Sequence, residues 1–255
     1  MRIVALQSGS NGNCVYVEAG GVRLLFDAGI SLRQARLRLA GLGLSPEGAA
    51  ALLISHDHSD HVRSAGVYQR ALHVPLHVTA GTLAAASRRM SLGELDDVQH
   101  FLPGSTVPVG DVEVRTLATP HDGCEGVAFI VDDGRVRLGI FTDLGHVFAG
   151  LGEAVAECDA VLLESNYDEQ MLTDGPYPAF LKARIRGAGG HISNAESADL
   201  LAAAAGARLQ WACLAHLSHE NNTPELALQT HRDRLGGKLP IHVATRYGAT
   251  GIMEI

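Results

Sequence analysis

Ala51-Leu52-Leu53-Ile54-Ser55-His56-Asp57-His58-Ser59-Asp60-His61 is a short apolar run that meets, one serine later, four residues of metal-ligand type. Four apolar residues suffice for a buried strand, and loops at strand ends are where side chains gather into a site. In an extended segment His56 and His58 point the same way, so both imidazoles can hold one ion. A turn into helix would then aim Asp60 and His61 at a neighbouring position. That layout suits two metal ions. The mixed nitrogen and oxygen donors fit Zn²⁺, Mn²⁺ or Fe, and the lack of cysteine ligands argues against a closed structural zinc site. Asp57 and Ser59, between the ligand candidates, read as supports for the loop.

The rest of the chain sets the frame. Its 255 residues are 46% apolar and carry 20 Lys+Arg against 28 Asp+Glu, a formal net charge of −8. That length buries a substantial core, and the absence of a visible linker, repeat or low-complexity tract predicts a single domain over 1–255. Four scattered cysteines (Cys14, Cys124, Cys158, Cys213) make no Cys-x-x-Cys pair and fit a reducing cytosol. No apolar run reaches membrane-spanning length, and the first residues lead straight into a strand without a signal-peptide layout. The expected location is therefore the cytoplasm, with no membrane partner. The acidic balance excludes coating of nucleic acid by bulk charge, so any polyanion must be gripped locally.

The pattern of elements is strand-rich in both halves. Arg2–Gln7, Asn13–Glu18 and Val22–Asp27 read as a β-meander divided by glycines, followed by a helix from the Ser31 cap to Ala40. Leu32, Ala35 and Leu39 form its inner face, and Arg33, Arg36 and Arg38 lie largely outside. Strands follow at Val112–Leu117, Gly126–Val131, Arg135–Thr142, Ala160–Leu163 and Ala212–Leu217, with Asp132-Asp133-Gly134 as a hairpin turn. Ser193 and Glu196 make a capping box for a helix over Ala195–Ala205 with Gly206 as C-cap, and Thr223-Pro224 opens another. Pro240–Ala244 and Gly251–Ile255 return to strand. Two packed sheets with helices outside is the expected architecture.

His-x-His-x-Asp-His after an apolar strand resembles the signature of the metallo-β-lactamase superfamily, which implies an α+β fold, the αββα sandwich. Further matches follow in chain order: His121 after Thr119-Pro120, Asp143 after Phe141-Thr142, and His216 within Leu214-Ala215-His216-Leu217-Ser218. The resemblance implies one metal on His56, His58 and His121, a second on Asp60, His61 and His216, and Asp143 bridging them. His219 competes with His216 but sits in a polar loop. The remaining histidines considered (His73, His77, His100, His146, His231, His242) read as ordinary residues.

Three more blocks narrow the resemblance. Leu6–Asn13, Glu164-Ser165-Asn166-Tyr167-Asp168 with the following Gly175–Ile185, and Gly190–Asn194 with His216–Glu225 are similar to the YycJ/WalJ-type bacterial proteins. Those are metal-dependent 5′→3′ DNA exonucleases linked to mismatch repair; ribonuclease Z is the wider likeness. The chain has no counterpart of the long arm of ribonuclease Z, and the stretch from Asp143 to His216 is too short for a β-CASP cap domain.

The implied activity is phosphodiester hydrolysis on nucleic acid, most of all at DNA ends, with DNA-repair proteins as potential partners. Two divalent ions, Mn²⁺ or Zn²⁺, would hold a hydroxide between them and neutralise the phosphoryl oxygens. His191 matches the histidine expected to protonate the leaving oxygen, and Asp60 is placed with it among the catalytic candidates. Ser193 and Asn194, at a helix N-terminus, are candidates for a phosphate seat, and Lys182 and Arg184 for phosphate clamps. Ribonuclease Z-like RNA processing and a glyoxalase II-type thioester hydrolase are the alternatives. The oligomeric state is not legible.

Overall fold

The computed structural model describes residues 1–204 and 208–255. Its first half runs β1 (Arg2–Gln7), β2 (Cys14–Ala19), β3 (Val22–Phe26), α1 (Leu32–Ala40), β4 (Ala51–Leu53), α2 (Ser59–Val62), α3 (Ala65–Leu72), β5 (Leu76–Val78), α4 (Ala80–Arg89) and β6 (Val98–His100). The second runs β7 (Thr106–Val109), β8 (Val112–Ala118), β9 (Val127–Asp132), β10 (Arg137–Phe141), α5 (Leu151–Ala156), β11 (Ala160–Glu164), α6 (Glu169–Asp174) and α7 (Ala179–Arg186). It ends with α8 (Asn194–Ala204), β12 (Trp211–Ala215), α9 (Pro224–Leu235), β13 (Ile241–Val243) and β14 (Met253–Glu254).

Two seven-stranded mixed sheets result, ordered β14-β1-β2-β3-β4-β5-β6 and β13-β12-β11-β10-β9-β8-β7. Each half of the chain builds one sheet, except that β14 crosses back to pair antiparallel with β1. The period-2 alternation of the central strands explains the layering. Ile3 and Ala5 of β1, and Val127, Phe129 and Val131 of β9, meet in the core between the sheets. Their neighbours Val4 and Leu6 pack outward with Leu32, Ala35 and Leu39 of α1 and with Tyr68 of α3. Ala128 and Ile130 pack outward with α5, α8 and α9. Strands buried on both faces read as apolar runs, and the outcome is the αββα sandwich.

Phe26 and Phe129 join the two sheets at the centre, their ring centroids 5.1 Å apart and their planes tilted by 55°. Phe129 is fully buried. Phe129→Ala should therefore lower the unfolding free energy by about 3–5 kcal/mol. Chemical denaturation of the purified variant measures it, and a loss under about 1 kcal/mol would contradict this central packing.

Local signals act as their chemistry dictates. Ser31 caps α1 by accepting from Gln34 N, and Thr223 caps α9 with Pro224 at its first position. Ser193 and Glu196 form a reciprocal capping box: Ser193 N donates to Glu196 Oε2 (2.7 Å) and Glu196 N to Ser193 Oγ (3.2 Å). The expected C-cap Gly206 lies outside the described residues. One expectation about α1 is corrected: Arg38 is turned inward, donating to Leu6 O (2.8 Å), Gln7 Oε1 (2.6 Å) and Tyr247 O (3.2 Å). Its long side chain reaches from α1 to the end of β1 and to the Tyr247 backbone.

Candidate metal centre and catalytic cleft

β3 and β4 run parallel, as do β10, β11 and β12. Their carboxyl ends open at one edge of the sandwich, where ligand sites of such sheets form. Asp27 follows β3, His56 to His61 follow β4, Asp143 follows β10, Glu164 ends β11 and His216 follows β12. Asp27, Asp143 and His216 sit in the left-handed region, with φ of 62°, 56° and 56°. A non-glycine residue there costs about 1–3 kcal/mol, which the surrounding packing must hold. Each bends the chain sharply at its strand end. His58 caps α2 in an extended backbone conformation after a bend in the chain, and Asp60 and His61 lie on the helix.

The tertiary fold brings the seven expected donors into one cluster. His56, His58 and His121 offer atoms within 4.8 Å of one another, and so do Asp60, His61 and His216. Asp143 lies between: Oδ2 is 3.3 Å from His61 Nε2, and Oδ1 is 3.5 Å from His216 Nδ1 and 3.6 Å from His121 Nε2. Hydrogen bonds behind the cluster fix its rings. His61 Nδ1–H donates to Asp27 Oδ2 (2.7 Å), and His121 Nδ1–H donates to Gly190 O (2.8 Å), which turns each Nε2 lone pair toward the centre. Ser55 Oγ donates to Asp27 Oδ2 (3.0 Å) and lies 3.0 Å from His56 Nδ1. Asp57 is fully buried and holds Cys124 N (2.7 Å) and Arg89 Nη1 (2.5 Å). Gly29 is required by close approach, since a Cβ there would lie 1.6 Å from the Asp60 carbonyl oxygen.

Carboxylates and imidazoles shift one another's titration in this pocket. Burial raises the Asp143 and Asp60 carboxyls, but neighbouring histidines outweigh it and hold both below the ordinary range. Burial lowers the His61 imidazole, and the surrounding Asp143, Asp27 and Asp60 outweigh it, pushing it up to about 9. His56 moves the other way, far down, because it is buried among other histidines. His56 Nε2, Asp143 Oδ2 and His216 Nε2 are buried without a hydrogen-bond partner. Orphaned polar atoms of this kind cost about 1–3 kcal/mol each in a dry interior, and lone-pair donors clustered in this way are satisfied by cations. The residues therefore fit divalent metal ions.

The cluster forms the floor of a cleft of about 520 Å³, which His191 also lines. Glu164, like Asp27 behind His61, is a residue that sequence reasoning missed. It is fully buried, accepts His191 Nδ1–H at 2.5 Å and Leu144 N at 2.9 Å, and lies 3.6 Å from His216 Nδ1. Burial raises its carboxyl, but His191 and His216 outweigh that and hold it well below the usual range. The available signal was its place: a lone charge closing an apolar strand, as Asp143 follows β10.

The substrate-contact candidates fare differently. Arg184 lines the cleft, its Nε donating to Asp122 Oδ2 at 2.7 Å. Lys182 does not: its ammonium donates to Thr173 O (2.7 Å) away from the cleft. The segment is helix α7, where residues two apart face different directions. Ser193 and Asn194 also leave the list, because both are buried and satisfied internally. Ser193 is consumed by the capping box. Asn194 N donates to Tyr167 O, and its side chain binds Ser165 and Asn222. The Ser193 and Asn194 side chains are thus engaged within the protein. His219 is exposed and outside the cluster, and the six histidines read as ordinary join none of the donor groups among the described residues.

A two-sheet αββα sandwich with a histidine–carboxylate centre at its strand ends defines a class. The chain belongs to the β-lactamase superfamily, whose domain model matches residues 22–216. Within it, the chain is 36% identical over 234 residues to exodeoxyribonuclease WalJ of Streptococcus pneumoniae, covering 90% of this chain and 86% of that protein. Identity to exodeoxyribonuclease YycJ of Bacillus anthracis is 32% over 227 residues, with 89% and 86% covered. Ribonuclease Z of a Mycobacterium species is 31% identical over 221 residues, covering 82% and 71%. Among solved structures, the metallo-β-lactamase fold protein YhfI of Bacillus subtilis superposes with a TM-score of 0.74 at 17% identity, covering 98% and 99%. No helix among the described residues is long and apolar enough to cross a membrane.

Proposed function

We propose that the chain is a metal-dependent exodeoxyribonuclease that degrades DNA from 5′ ends, a cytoplasmic enzyme serving DNA repair. The observation that carries this reading is the convergence of seven donors and a carboxylate-backed histidine in one cleft, in a chain similar over nine-tenths of its length to proteins named exodeoxyribonucleases. Two divalent ions, Mn²⁺ or Zn²⁺, are assigned to His56, His58 and His121 and to Asp60, His61 and His216, with Asp143 shared. Bound there, such ions supply Lewis acidity toward phosphoryl oxygens and lower the pKa of water from about 16 toward roughly 7.

The chain's own residues do the rest. Glu164 accepts the Nδ1–H of His191 and holds the ring in one orientation; the imidazolium then hands its Nε2 proton to the leaving alkoxide and, left neutral, is reprotonated from solvent before the next cycle. Arg184 on the cleft wall offers a guanidinium to a neighbouring phosphate.

Metal-loaded protein given duplex DNA with a 3′-labelled strand should produce a ladder of shortened labelled fragments, while a 5′ label is released as a mononucleotide. Structured RNA and S-lactoylglutathione should be poor substrates. Preferred cleavage of RNA would favour the ribonuclease Z-like reading, and thioester cleavage without phosphodiester cleavage would sink the nuclease.

A further inference from the structure

Twelve aromatic residues occupy this chain (six Phe, five Tyr, one Trp), and most are buried. Two stand out as largely exposed, Phe180 at 75% and Tyr247 at 71%. Tyr247 walls a second groove of about 350 Å³, whose sides include Leu217, Pro224 and Ala244 and which shares Ser218 with the catalytic cleft.

The loop that presents Tyr247 is tied down along its backbone. Ser8 N donates to Thr245 O (3.0 Å), Asn11 Nδ2 to Arg246 O (3.0 Å) and Arg38 Nη2 to Tyr247 O (3.2 Å). Ser8 also accepts from His216 N (2.7 Å), so the same glycine-rich loop holds both the groove and the cluster. The His219 ring stands edge-on to Tyr247, centroids 6.4 Å apart at 84°. With its backbone held, the loop has little further freedom to lose when the exposed ring meets a flat partner. The groove is mostly apolar, and its two charged residues, Glu225 and Arg246, are opposite in sign, so it carries no excess positive charge to hold a phosphate and best fits a neutral planar group.

We propose that this groove is a nucleobase subsite, in which an unpaired base of the substrate strand stacks on Tyr247 while the adjoining phosphodiester lies in the cleft. The inference rests on the nuclease reading and deepens it. Stacking on an aromatic platform is sequence-tolerant because every base has a π-face, which suits an enzyme that removes nucleotides one after another.

The test uses a short single-stranded oligodeoxynucleotide with cleavage-resistant phosphorothioate linkages and a version carrying abasic residues near its 5′ end, with binding to the metal-loaded protein read by fluorescence anisotropy. Tyr247→Ala should weaken binding of the normal oligonucleotide about 10- to 100-fold, the loss of one stacked base. Tyr247→Phe should stay within about 2-fold, since the ring and not the hydroxyl stacks. The abasic oligonucleotide should bind wild type about as weakly as the normal one binds Tyr247→Ala, with little further loss in the variant. In turnover, Tyr247→Ala should raise KM and leave kcat within about 3-fold. Unchanged binding in Tyr247→Ala, or an equal loss on the abasic oligonucleotide, overturns the subsite. A wild-type protein that binds DNA through Tyr247 yet cleaves no DNA with any metal overturns the nuclease reading instead.

Discussion

Asp143→Asn should yield a folded chain that binds fewer divalent ions and cleaves DNA about 10³-fold more slowly or worse, the scale of several kcal/mol of lost charge stabilisation. Asparagine is the informative replacement. It keeps the shape and tolerates the left-handed φ of 56°, so backbone strain is not confounded with charge. What disappears is the carboxylate that lies within 3.3–3.6 Å of His61, His121 and His216. Elemental analysis of protein loaded with Mn²⁺ or Zn²⁺ gives the ion count, and thermal melting reports folding separately. A variant with full metal content and turnover within tenfold of wild type would remove Asp143 from the centre.

His191→Ala should behave differently: metal content unchanged, turnover on DNA down about 10²- to 10⁴-fold, the range of a lost general acid. The leaving group discriminates proton donation from mere structure. Bis-p-nitrophenyl phosphate releases an anion that is stable without a proton, so its hydrolysis should fall far less than that of DNA. Glu164→Gln should show the same contrast in weaker form, because the buried carboxylate acts through the His191 ring and touches no substrate. Equal losses on both substrates for His191→Ala would mean that the histidine holds structure and moves no proton.

Much of the centre was legible because its signals are local. The His-x-His-x-Asp-His spacing, the apolar run before it, and single histidines or aspartates directly after β-patterned segments all lie within a few residues of chain. The extended-then-helical path through His58 and Asp60 follows from such local patterning. The capping signals at Ser31, Ser193 and Thr223 are equally local and equally visible. Less of the fold between residues 62 and 111 was legible. Strands β5 and β6 are three residues each, and α3 and α4 are eight and ten, too short for periodicity to separate them from loops.

The substrate-contact candidates mark where local reasoning stopped. Lys182 and Arg184 look alike as alternate basic residues in sequence, but on α7 they part, one to Thr173 and one to the cleft wall. Ser193 and Asn194 look like a phosphate seat until the capping box and the Asn222 and Ser165 contacts consume their donors and acceptors.

Sequence alone determined the donor chemistry, the two-sheet sandwich and the superfamily, because ligand type, spacing and strand alternation are properties of neighbouring residues. Tertiary structure alone decided that Glu164 backs His191, that Arg38 pins the Tyr247 loop, and that the Asn194 side chain is spent on Ser165 and Asn222. Those are contacts between segments from tens of residues to more than two hundred apart, set by the register of two sheets whose parallel strand ends open at one edge.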